Sequence, residues 1–156
     1  MKLLVLFFAI ISANAFSSDL SCTDFSGTWI GSCPESDVIK FPNLIELEQV
    51  GCERLVWTSK YRDKSGALVL RDALLVEIGK NQTERVSRKG KLLPKRTITS
   101  RWLAAKTILH GTQRRFEPTG ETFAIKFKLE LEGHNKLKAI FNLTGHGKGD
   151  CIFNRY

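Results

Sequence analysis

The sequence predicts an all-β fold, an antiparallel up-and-down meander barrel of about eight to ten strands held by two disulfides. Three observations predict it. Between residues 121 and 132, Phe123, Ile125, Phe127, Leu129 and Leu131 alternate with Ala124, Lys126, Lys128, Glu130 and Glu132, the period of a half-buried strand. The pattern resumes after Gly133-His134-Asn135 with Leu137, Ala139, Phe141 and Leu143 on one face. Folding the two runs about His134 sets Leu131 opposite Leu137, Leu129 opposite Ala139 and Phe127 opposite Phe141, so the apolar faces coincide as in a hairpin. Finally, four cysteines, an even number, follow an N-terminal segment with the order of an export signal, which implies disulfides formed in an oxidising compartment.

From the N-terminus, Met1-Lys2, an apolar run from Leu3 to Ile11 and the small residues Ala13 and Ala15 predict a secretory signal over residues 1–15, cut after Ala15. The run is too short to span a bilayer. Leu20-Ser21-Cys22 has a lipobox look, but the apolar core ends about ten residues earlier and Asp19 sits too close for lipidation. Residues 16–156 are then one β-barrel domain, secreted or periplasmic, too short for two domains with cores of their own. The formal charge is +8, or +7 without Lys2, which favours approach to anionic surfaces without naming one.

The first strand is expected over residues 27–33. A hairpin follows over 43–61, in which Ile45 and Leu47 fold about Gly51 onto Trp57 and Leu55, while Glu46 and Glu48 face outward. Further strands are expected over 67–78, with a break near Arg71-Asp72, then over 82–88, 96–103, 106–115 and 150–156. Residues 68–78 alone could pass for a helix, but their Val and Ile content between Gly66 and Gly79 argues for strand. Gly145-His146-Gly147-Lys148-Gly149 reads as a long hairpin loop; it resembles a phosphate cradle, yet opens no helix. Asn81 and Asn142 head glycosylation sequons that matter only in a eukaryotic route.

An even-stranded barrel puts the last strand antiparallel to the first. Registering Trp29 against Arg155 brings Gly31 opposite Phe153 and Cys33 opposite Cys151, on one face and at one height. Four cysteines allow three pairings, and this register favours Cys33 with Cys151 and Cys22 with Cys52.

Gly27-Thr28-Trp29 at the start of the first strand, with Arg155 near the end of the last, resembles the calycin group of small barrels, which includes lipocalins, avidins and fatty-acid-binding proteins. The resemblance implies that Trp29 closes one end of the barrel and that Arg155 packs across it. It covers the termini and the meander. A lipocalin Thr-Asp-Tyr signature and a helix before the last strand are missing, residues 34–42 are too short for the two helices of fatty-acid-binding proteins, and no biotin-binding set matches.

No metal, cofactor or enzymatic chemistry is expected. The cysteine spacings fit no zinc pattern, His110, His134 and His146 are isolated, and no nucleophile stands in a triad. Trp29, Trp57, Phe123, Phe127 and Phe141 share the inner face and, with Arg155, form the candidate site for a small apolar ligand, although such aromatics also simply fill cores. The expected function is therefore a secreted or periplasmic lipocalin-like binding protein. The alternative is a non-enzymatic structural or interaction protein with a filled barrel. It would contact an anionic membrane or glycan through a basic hairpin carrying Arg85, Arg88, Lys89, Lys91, Lys95 and Arg96, with Leu92-Leu93 at its tip. Nucleic acid is disfavoured because no aromatic interleaves with these charges.

Overall fold

A computed structural model describes residues 21–33 and 42–156, so the expected signal segment and its cut lie outside the described residues. Ten strands follow one another: β1 (Gly27–Ser32), β2 (Leu44–Val50), β3 (Arg54–Arg62), β4 (Leu68–Glu77), β5 (Asn81–Arg88), β6 (Lys91–Leu103), β7 (Ile108–Phe116), β8 (Thr122–Leu131), β9 (Lys136–Leu143) and β10 (Gly147–Arg155). Among the described residues there is no helix. All pairings are antiparallel, and the sheet order β4-β3-β2-β1-β10-β9-β8-β7-β6-β5 wraps into a nearly closed barrel whose two edges are β4 and β5.

The first and last strands meet as the sequence predicts, Trp29 against Arg155 and Gly31 against Phe153. Disulfides join Cys33 to Cys151 and Cys22 to Cys52. The β8–β9 hairpin likewise pairs Phe127 with Phe141, Leu129 with Ala139 and Leu131 with Leu137. Other expectations shift. The β2–β3 hairpin turns about Cys52, not Gly51, so Leu47 faces Trp57 and Ile45 faces Ser59. The slip of two residues keeps every side chain on its face, because the strand period is two. Gly147 already pairs with Leu143, so the loop expected over 145–149 shrinks to a three-residue turn. Strand β6 begins at Lys91 and absorbs part of the basic segment.

Two bulges interrupt the ladders. Between β3 and β4, Ser59 faces Asp72 while Lys60 faces Leu70, leaving Arg71 as the extra residue. This is the break expected near Arg71-Asp72. Between β5 and β6, Glu84 faces Arg96 while Arg85 faces Pro94, leaving Lys95 extra, and Pro94 sits where a missing N–H is tolerated.

Successive inward residues fill the barrel in layers. Leu55, Leu109, Leu129 and Leu137 are fully buried near one end, and burial decreases along each strand toward the other. The segment before β1 straps the packed end shut. Trp29 Nε1 donates to the carbonyl of Phe25 at 2.9 Å, and the Phe25 ring stacks on Trp102 at 5.8 Å. Gln49 Nε2 donates to the carbonyl of Thr23, and the Thr23 N–H reaches the carbonyl of Lys106 across the end. Arg155 lies over the Trp29 ring at 4.5 Å, as the resemblance implies.

Candidate ligand cavity

With one end plugged by the segment before β1, an aromatic-walled space opens at the other, where β3 ends and β4, β8 and β10 begin. It is a cavity of about 440 Å³. Trp57 from β3 forms its deep wall, edge-on to Phe127 at 5.5 Å and tilted against Phe141 at 5.8 Å. Leu74, Ile125 and Leu143 continue the apolar lining, and Phe123 lies near the rim against the His146 ring at 5.7 Å. Gly111 makes room for this arrangement. A Cβ there would stand 2.3 Å from Cζ of Phe127, so only glycine lets that ring lie across β7.

Polar groups occupy the upper wall. Gln113 follows Gly111 on the inward row of β7 and is 7 % exposed; its Nε2 has no hydrogen-bond partner among the described residues. A buried donor left unpaired costs about 1–3 kcal/mol. Arg115 comes next on the same row, and Arg71 joins it from the β4 bulge. Partial desolvation of the guanidinium, and then the positive charge of Arg115, hold Arg71 below its ordinary value against the weaker attraction of Asp72 and Tyr61, although the residue as a whole is exposed at the mouth.

The gap between the barrel's edges is bridged by side chains beside the cavity. Arg96 on β6 is 4 % exposed and sends Nη1 to both carboxylate oxygens of Asp72, at 2.7 and 2.8 Å, and Nη2 to the carbonyl of Ala73 at 2.9 Å. Its Nε binds Glu84, which also receives Lys95 at 2.9 Å. Burial opposes the charge on Arg96, but the hydrogen bond and charge of Asp72, then those of Glu84, outweigh it and hold the guanidinium above its ordinary value. Burial likewise opposes ionisation of Glu84, yet Lys95 and Arg96 bring its carboxyl below 4.5.

Of the six residues expected to bind ligand, Trp57, Phe123, Phe127 and Phe141 converge on the cavity. Trp29 and Arg155 do not; they belong to the plug at the far end. The basic segment is divided in the same way. Arg85, Arg88, Lys89 and Lys91 are exposed on the β5–β6 hairpin, whereas Lys95 is paired to Glu84 and Arg96 is buried in the seam, outside any docking surface. The hairpin turns at Lys89-Gly90; Leu92 and Leu93 lie in β6 opposite Ser87 and Val86, not at the tip. Glu46 is paired with Lys60, Glu130 with Lys128 and Glu132 with Lys136. Sequence reasoning missed Arg71, Gln113 and Arg115, although Gln113 and Arg115 continue the alternation of Leu109 and Gly111, a signal for inward placement.

A second, larger depression of about 730 Å³ borders Asp24, Glu130, His134 and Arg155 on the outside of the plugged end, but no Phe, Tyr or Trp lines it. No protein-family description and no curated protein sequence matches this chain.

Proposed function

We propose that this protein is an exported, lipocalin-like binding protein that takes a small apolar ligand into the open end of its barrel. The observation that carries this reading is the 440 Å³ cavity walled by Trp57, Phe127 and Phe141. Its size falls within the range of small-molecule sites, and apolar side chains supply most of its wall, although seven of the fifteen lining residues are polar or charged. The two disulfides fit an oxidising, extracellular setting. Affinity would come from removing apolar ligand surface from water, at about 25 cal/mol per Å², less the cost of association. The plug under the cavity makes the site a one-ended cup, so ligand enters and leaves by the mouth.

Titration with N-phenyl-1-naphthylamine, a neutral fluorophore that brightens in apolar surroundings, tests this. The wild type is expected to enhance its emission in a saturable way. Ile125→Trp, which fills the cavity from β8, is expected to remove at least nine-tenths of that enhancement while the thermal unfolding transition stays cooperative. Undiminished enhancement in a folded Ile125→Trp or Leu74→Trp variant, or none in the wild type, would rule the reading out.

A further inference from the structure

The upper wall of the cavity carries charge that an apolar ligand leaves unanswered. Arg115 stands on the inward row of β7, and the bulge in β4 adds Arg71 beside it. Their charges oppose each other more than Asp72 offsets that of Arg71, and among the described residues neither guanidinium is in an ion pair. The nearest carboxylate in sequence, Asp72, is engaged on both oxygens by Arg96. Glu117 is the other acid of the lining and sits exposed in the β7–β8 turn. One step deeper than Arg115 lies Gln113, more than nine-tenths buried, with its Nε2 donor unpartnered. Two like charges and a vacant donor, brought to one cavity from β4 and β7, lack the same thing, an anionic acceptor.

We propose that the ligand is an amphiphile with an anionic head, whose carboxylate lies between Arg71 and Arg115 at the mouth, within reach of Gln113. Its apolar body extends down onto Trp57, Phe127 and Phe141. This inference rests on the apolar-ligand reading of the same cavity and adds the head group and its orientation. Guanidinium forks match a carboxylate in two parallel hydrogen bonds, a recognition that a hydroxyl cannot reproduce and an ammonium would oppose. A head held at the mouth also keeps part of its charge in water, which lowers the desolvation cost of binding it.

Calorimetric titration of the full chain with dodecanoate, dodecan-1-ol and dodecylammonium, which share one apolar body, tests the assignment. Dodecanoate is expected to bind about ten- to hundred-fold more tightly than dodecanol at low salt. Raising the ionic strength should narrow that advantage, and dodecylammonium should bind most weakly. In Arg71→Gln/Arg115→Gln, the ratio of dodecanoate to dodecanol affinity is expected to fall to about one; Gln113→Leu should narrow the same ratio less. Equal wild-type affinities for dodecanoate and dodecanol would overturn the head-group assignment and leave the apolar reading standing. A dodecanoate advantage that survives the double substitution would overturn it equally. Absence of binding by all three ligands and by N-phenyl-1-naphthylamine would remove both.

Discussion

At Gly31 the backbones of β1 and β10 leave no room for a side chain. A Cβ added there would lie 2.0 Å from the carbonyl oxygen of Ile152 and 2.6 Å from Cα of Phe153, both backbone atoms that cannot swing aside. Its glycine serves space, not an unusual backbone angle, and it lets β1 and β10 close up between the Trp29–Arg155 pair and the Cys33–Cys151 disulfide. Gly31→Ala is therefore expected to cost about 1–3 kcal/mol, the usual range for overpacking. Urea unfolding at neutral pH measures it, and a midpoint equal to wild type would contradict the close approach. Gly111 differs in kind, since what it accommodates is largely the ring of Phe127. The register of Trp29 with Arg155 was legible once an even-stranded barrel was assumed. The crowding at Gly31 was not, because a glycine in a strand signals some close approach without naming its partner.

Among the elements, β4 and β5 stand apart because no ladder joins them. Strand β5 is exposed along most of its length, so side chains close the seam there. Arg96 is the principal link, with Asp72 across the gap and Glu84 beside it. Arg96→Met is expected to destabilise the protein by about 3 kcal/mol, since it strands the partly buried Asp72 carboxylate without a partner. The seam should also weaken in acid. Glu84 titrates below 4.5 in the folded protein, so its contribution is complete above that value and is lost as pH falls through the lower folded-state pKa. The contribution is small, because the Glu84 side chain is 41 % exposed. Melting temperatures between pH 7 and pH 3 check both points: the wild type should lose more stability below pH 4.5 than Arg96→Met does, and parallel curves would show that the seam is not the acid-sensitive element. In the sequence, Arg96 looked like one more member of a basic run. Its burial depends on where β6 lies relative to β4, which no local pattern states.

For the molecule as a whole, the ends are secured unequally. Cys33–Cys151 closes a span of 118 residues and Cys22–Cys52 one of 30, worth about 5 and about 4 kcal/mol respectively in the chain-entropy account. Cys33→Ala/Cys151→Ala is therefore expected to lower denaturant stability by about 1 kcal/mol more than Cys22→Ala/Cys52→Ala, and the opposite order would show that the strap under Trp29 matters more than the β1–β10 junction. Much of this architecture was readable in advance. Period-two alternation is a local signal, so inward faces such as Phe123 to Leu131 could be assigned, and hairpin symmetry fixed Phe127 against Phe141. Pairing the first strand with the last then aligned Cys33 with Cys151. Residue order alone thus carried the fold class and the faces, and favoured the disulfide pairing once an even-stranded barrel was assumed, because each depends on counting residues along one strand or between two neighbours. Which end is plugged, that the other holds a cavity, and that Arg71, Gln113 and Arg115 all line it while Arg96 bridges the seam emerge from the folded barrel. Those outcomes depend on bulges and on twist accumulated around ten strands, which bring together residues far apart in sequence and leave no periodic trace.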